Sequence, residues 1–242
     1  MKPKRNIPPE PVLAFGAHPD DIEFGAGGIV AREAAAGHPV HFVVCSRGEA
    51  GTNGTPAQRT AEAKRAARLL GATLEFVALD GDARLELRSA HARRLAAVVR
   101  RVRPGLVLAP SPERNQHPDH WRLAILVRDA LRLARYGGLK PLRSKPAHAA
   151  GQLFFYALSP SAEPPGQPVL VDLSAPGLVR KWTRAMEAHA SQMKTRNYAE
   201  LQLARARVHG LSAGLRYAQP LWLGDPAVVD DLSVLARGAR RF

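Results

Sequence analysis

An apolar run, Val12-Leu13-Ala14-Phe15-Gly16, opens directly onto Ala17-His18-Pro19-Asp20-Asp21-Ile22-Glu23, and a glycine-rich segment, Gly25-Ala26-Gly27-Gly28, follows. A short apolar run bounded this way reads as a strand buried on both faces, the kind found in parallel sheets. His18, Asp20 and Asp21 then sit just past the carboxyl end of the first strand, where open α/β sheets bind ligands. One imidazole and two carboxylates within four positions crowd negative charge. A divalent cation relieves that repulsion, and zinc accepts both nitrogen and carboxylate oxygen.

A second stretch answers the first. Leu106-Val107-Leu108-Ala109-Pro110 is another apolar run, and beyond it come His117-Pro118-Asp119-His120 and a helical pattern from Trp121. In the common strand order 3-2-1-4-5, strands one and four are neighbours at the switch point, so both motifs open into one crevice. His18, Asp21 and His120 are the three candidate ligands. Three ligands with an open position is the pattern of a catalytic zinc rather than a closed structural one.

The rest of the chain alternates strand and helix. Strands are expected at 39–45, 73–79, 153–158 and 169–173. Helices are expected at 27–36, 57–70, 89–102 (with Ser89 as cap), from 121 to before Gly137, at 176–193 and at 198–213. The segment 217–242 shows no clear pattern. The alternation predicts a Rossmann-like α/β domain: a mainly parallel sheet, helices on both faces, and the metal site at the carboxyl ends of strands 1 and 4. Gly25 to Gly28 lacks dinucleotide-binding spacing, so close packing beneath the metal loop explains it better than a phosphate cradle. The loop from Ser46 to Pro56 overhangs the same crevice. His38, His41, His91 and His148 read as structural or exposed, and Asp80 and Asp82, flanking Gly81, as turn residues.

With 242 residues, one domain over 11–242 after a basic disordered tail at 1–10 is expected. No run approaches the ~18 apolar residues of a membrane span, and the basic start leads into prolines rather than a signal sequence. A cytoplasmic protein is expected, in keeping with a lone Cys45 that reads as a small buried side chain. The formal net charge of +14 favours acidic partners. However, Arg65, Arg68, Arg93, Arg94, Arg100, Arg101, Arg128, Arg132 and Arg135 are spread along helical patterns, without interleaved aromatics or a nucleic-acid motif. A nucleic-acid partner is therefore not expected.

The two motifs together resemble the zinc-dependent LmbE-like (PIG-L) deacetylases of N-acetylglucosamine derivatives. The loop Gly48-Glu49-Ala50-Gly51-Thr52-Asn53-Gly54-Thr55, leading to Arg59 and Glu62, resembles that family's second-strand loop, and His189-Ala190-Ser191-Gln192 its helix toward the C-terminus. Arg205-Ala206-Arg207-Val208-His209-Gly210 and Gly214-Leu215-Arg216-Tyr217-Ala218 resemble the bacillithiol-making branch, which removes acetate from N-acetylglucosaminyl malate. The resemblance implies His18, Asp21 and His120 as ligands of Zn2+, with Fe2+ as the other candidate. It implies Asp20 as general base on the attacking water, and a charged His117, oriented by Asp119, as donor to the oxyanion or the departing amine. It further implies Arg59 and Tyr198 as substrate-binding residues and a homo-oligomer, a hexamer in that branch. Asn115-Gln116 stand where the branch often has Asp-Arg, Trp121 adds bulk after His120, and the chain is shorter between Gln192 and Tyr198. These departures touch the substrate rim and bear on the aglycone. Two other readings are a deacetylase for another acetylated amino sugar, such as an inositol conjugate or a chitin disaccharide, and a basic non-catalytic binding protein on the same scaffold.

Overall fold

The apolar runs form the centre of one sheet. In the computed structural model, which describes residues 9–114 and 117–235, strands β1 (Val12–Gly16), β2 (Val40–Val44), β3 (Ala72–Phe76), β4 (Leu106–Pro110) and β5 (Gln152–Tyr156) are parallel, in the expected order 3-2-1-4-5. Two more strands extend it. β7 (Ala218–Leu223) runs antiparallel to β5, and β6 (Val169–Asp172) runs antiparallel to β7 at the edge. Most of the tail at 1–10 lies outside the described residues, as do Asn115 and Gln116.

Strand side chains alternate between two cores, as the period of two requires. Leu13 and Phe15 of β1 enter the core shared with α3 (Ser89–Val102) and α4 (Pro118–Arg135). Val12 and Ala14 enter the opposite core, covered by α1 (Asp21–Ala35), α2 (Pro56–Leu70) and α5 (Leu178–Glu187). A smaller cluster around Trp182 and Leu173 joins α5 to α6 (Tyr198–Ser212). Burial on both faces explains why β1 and β4 read as continuous apolar runs.

Helix α1 begins at Asp21, well before the expected Gly27, so the glycine-rich segment lies inside it. Glycine weakens a helix by roughly 0.5–1 kcal/mol relative to alanine, and close packing explains the cost. A Cβ on Gly25 would overlap the buried Tyr156 ring, and one on Gly27 would lie 2.6 Å from Trp182 Cδ1. The Tyr156 hydroxyl donates to the Phe15 carbonyl at 2.7 Å, and the Trp182 indole donates to the Glu23 carbonyl at 2.7 Å. The Gln219 side chain accepts from the Ile29 amide at 3.0 Å and donates to the Gly25 carbonyl at 3.4 Å. Those two backbone groups are i, i+4 partners in the helix, so β7 is hydrogen-bonded onto the helix that follows the first motif.

Other boundaries shift for local reasons. Arg88, not Ser89, is the N-cap of α3, and it has no side-chain cap bond. Helix α5 ends at Glu187, freeing His189 to Gln192 for contacts described below. β7 was illegible because it contains Pro220. Its ladder with β5 involves only Trp222 and Leu223, so at Pro220 the strand behaves as an edge, where a missing N–H is tolerated.

Candidate metal centre

β1 and β4 are adjacent, with Val12 opposite Leu106, so the segments leaving their carboxyl ends converge. His18 follows β1, and Asp21 opens α1. The Asp21 carboxylate is held by the Ala17 and His18 amides at 2.8 and 3.0 Å. His120 lies in the first turn of α4, which begins at Pro118 with His117 as its N-cap. His18 Nδ1 lies 3.3 Å from His120 Nε2, and Asp21 Oδ1 lies 3.2 Å from the same His120 nitrogen. The donor atoms of His18, Asp21 and His120 all fall within 4.8 Å of one another. Two imidazole nitrogens and a carboxylate that converge in this way, largely buried, fit a divalent cation of the zinc type.

The far side of His18 has its own partners. Its Nε2 lies 3.3 Å from Asp119 Oδ2 and 3.0 Å from Asp82 Oδ1. A ligand histidine whose other nitrogen faces a carboxylate is fixed in tautomer and orientation. Asp119 is in turn anchored by the Ala83 amide at 2.8 Å and the Leu85 amide at 3.3 Å. It lies closer to His18 than to His117, whose Nδ1 is 3.9 Å away. The expected Asp119–His117 pairing is therefore not the shorter of its two contacts.

His117 Nδ1 accepts the Asp119 backbone N–H at 3.3 Å. Its neutral tautomer consequently carries the proton on Nε2, where it is a donor. Burial and the nearby His18 and His120 hold its pKa below the ordinary imidazole value, against the expectation of a charged His117. Burial also opposes charge on His18, but Asp21, Asp119 and Asp82 outweigh it and raise that pKa. The surplus of carboxylates around His18 is the charge environment a bound cation would complement.

Asp20 adopts a left-handed backbone conformation with φ 116°. Burial, reinforced by the neighbouring Asp21 charge, raises its carboxyl to about 6. Arg59 is only 5% exposed. It donates to the Pro19 carbonyl at 3.1 Å, the Gly48 carbonyl at 3.3 Å and Asp20 Oδ2 at 3.4 Å, and lies 3.9 Å from Asp82. Its guanidinium thus joins the glycine loop to Asp20. Tyr198 packs its ring 5.6 Å from Phe24 and 5.7 Å from the Arg196 guanidinium, and no side chain of the cluster is among its partners.

Asp82 is the residue that sequence reasoning missed. It is buried, faces His18 and Arg59, accepts the Ala50 amide at 3.2 Å, and shares a second group of metal-capable side chains with His18, His117 and Asp119. A turn explains Gly81 but not this burial. The available signal was position: like both motifs, Asp82 lies beyond the carboxyl end of a parallel strand, here β3. Asp80 instead pairs with His91 at 2.7 Å, which makes His91 structural as expected.

The glycine loop is fastened from outside. Glu62, buried on α2, accepts the Ser191 amide at 3.0 Å and the Ser191 hydroxyl at 2.6 Å, and Gln192 donates to the Asn53 carbonyl at 2.7 Å. His189, fully buried, faces the Glu23 carboxylate at 3.2 Å.

Comparison with known proteins agrees with this geometry. The family model "PIG-L: GlcNAc-PI de-N-acetylase" matches residues 13–131, the span that carries both motifs. The 4-oxalmesaconate hydratase of Pseudomonas putida is 34% identical over 148 residues, 56% of this chain and 57% of that protein. The diacetylchitobiose deacetylase of Thermococcus kodakarensis is 32% identical over 133 residues, 51% of this chain and 49% of that protein. The chain thus spans about half the length of the curated relatives it matches. The crystal structure of a conserved protein from Thermus thermophilus superposes with a TM-score of 0.82 at 32% identity, over 93% of this chain and 99% of that one. The span that carries both motifs thus matches the PIG-L family's model, and the whole fold is shared with the Thermus thermophilus protein.

Proposed function

We propose that the protein is a metal-dependent amidohydrolase that removes acetate from an N-acetylglucosaminyl conjugate, with N-acetylglucosaminyl malate as the first candidate substrate. The observation that carries this reading is the convergence of His18, Asp21 and His120 donor atoms within 4.8 Å, next in sequence to the Asp20 carboxylate. The likeness to a diacetylchitobiose deacetylase supports the reaction class. The Arg205–Gly210 and Gly214–Ala218 stretches support the malate aglycone. Cytoplasmic location and a homo-oligomer accompany the reading. Among the described residues, no helix is long and apolar enough to cross a membrane.

His18, Asp21 and His120 would hold the cation, zinc by donor type, with Fe2+ as the other candidate. A zinc ion there supplies Lewis acidity for the amide carbonyl and a water acidic enough to attack near neutral pH. Asp20 takes the proton as the water's oxygen adds to the carbonyl carbon. A carboxylate in this position can both accept that proton and return it. Asp20 then delivers it to the amide nitrogen as the C–N bond breaks, releasing acetate and a free amine. The neutral His117, with its proton on Nε2, donates a hydrogen bond to the developing oxyanion. Asp119 holds His18, and Arg59 holds Asp20 and the loop over it.

The test is amine release from N-acetylglucosaminyl malate and from N,N'-diacetylchitobiose, with and without chelator. Chelator-sensitive release is expected. His120→Ala should lose metal and activity, while Asp20→Asn should keep metal and lose turnover. A metal-replete, fully active His120→Ala protein would refute the ligand assignment.

A second reading follows from the likeness to a hydratase: addition of water to a carbon–carbon double bond, using the same cation and base. Loss of 4-oxalmesaconate in the presence of the protein, with no amine released from either sugar, would replace the first reading with this one.

A further inference from the structure

The functional crevice does not account for the arginines of α4. Arg128, Arg132 and Arg135 recur at helical spacing on its later half and line one side of a cleft of about 410 Å³. Ala150, Gly151, Gln152 and Leu153, at the start of β5, form the other side, and Asp225, just past β7, closes an end. The start of β5 and the end of α4 lie at the amino edge of the parallel strands, so the cleft is at the opposite edge of the sheet from the His18 cluster.

Among the described residues none of the three arginines forms an ion pair, although Asp225 lines the same cleft. The Arg128 guanidinium lies over the Phe155 ring, 5.3 Å from its centroid, and its Nε is buried with no hydrogen-bond acceptor. A buried guanidinium N–H without an acceptor is costly, so such donors normally have a protein, water or ligand partner. The contact with Phe155 also restricts the side chain, which limits what Arg128 must lose on binding an anion.

We propose that this cleft binds a small phosphate-bearing molecule at a site separate from the metal centre. Three guanidinium groups against one carboxylate leave two positive charges, which matches a doubly ionised phosphate. Guanidinium forks match the phosphate oxygens two at a time. A recess of this volume between a helix and a strand end suits a small molecule rather than a nucleic-acid backbone, which needs an extended basic track.

The experiment is titration of the full-length protein with pyrophosphate by calorimetry, with thermal unfolding alongside. One saturating equivalent and a raised unfolding midpoint are expected. His120→Ala should bind pyrophosphate equally well. The Arg132→Ala/Arg135→Ala double variant, which alters only exposed side chains, should bind at least about tenfold more weakly, because it removes two charge-assisted hydrogen-bonding groups. Arg128→Lys keeps the charge and loses the planar fork, and should also weaken binding. Malate titrated in parallel should bind less tightly than pyrophosphate. Any of four results would overturn the site. These are no saturable binding at millimolar pyrophosphate, undiminished binding by the double variant, several salt-sensitive equivalents indicating general charge screening, or loss of binding in His120→Ala.

Discussion

Substituting Gly25 by alanine adds one methyl group where the structure has no room for it. The new Cβ would overlap Tyr156 Cδ2 and lie 2.5 Å from Cε2, whereas carbons in contact rest at about 3.5–4.0 Å. Tyr156 is fully buried and tied to the Phe15 carbonyl at 2.7 Å, so its ring cannot turn aside without breaking that bond. Overpacking costs ~1–3 kcal/mol, and disrupting the buried hydrogen bond ~1–3 kcal/mol more. Alanine's better helix propensity returns ~1 kcal/mol. The net loss should be roughly 1–5 kcal/mol, which for a chain of this size lowers the midpoint by about 2–20 °C. Urea and thermal unfolding of Gly25→Ala measure this directly. Gly137→Ala, which meets nothing within 4 Å, serves as control and should stay within ~0.5 kcal/mol of wild type. Replacing Tyr156 by leucine in the Gly25→Ala background should recover part of the loss. If Gly25→Ala is as stable as the control, the argument that these glycines exist for close approach is wrong.

Glu62→Ala leaves the Ser191 amide and hydroxyl buried without their acceptor, and should cost ~2–4 kcal/mol while exposing the loop at 46–55 to proteolysis; unchanged cleavage rates would show that the loop is held otherwise. Burial alone would raise the Glu163 carboxyl, but hydrogen bonds from His209 and Arg205 outweigh it and hold it below its ordinary 4.5. A depressed carboxyl contributes stability above its unfolded pKa and loses it as pH falls through the folded one. The stability gap between wild type and Glu163→Gln should therefore narrow as pH falls below about 4.5, and a gap independent of pH would contradict the pairing. The Cys45 thiol is buried and its pKa pushed up, so it should resist a thiol reagent in the native protein and react fully once unfolded.

The frame of this fold is legible because β1 and β4 are apolar on both faces and each is followed, before the next helix, by a His-Pro-Asp motif. Their adjacency follows from the commonest order for such sheets. The start of α1 was not legible, because its glycines report on Tyr156 and Trp182, distant in sequence, rather than on local conformation. Pro220 concealed β7 for a similar reason: its tolerance depends on how far the β5 ladder extends. At the site, residue types revealed which groups gather but not how they pair. Asp119 facing His18, and Arg59 buried between Gly48 and Asp20, depend on side-chain directions set by packing. Asp82 adjoins a glycine like any turn residue, and only its approach to His18 distinguishes it.

Under the proposed mechanism, the left-handed backbone at Asp20 puts stability and chemistry in competition at a single residue. With φ at 116°, the position suits glycine, and a side-chain-bearing residue is held there at a cost of ~1–3 kcal/mol. Asp20→Gly should therefore make a sturdier protein, with a higher midpoint, that no longer turns over. Selection for robustness alone would discard the carboxylate, and a screen for thermostable variants would be expected to return this dead one.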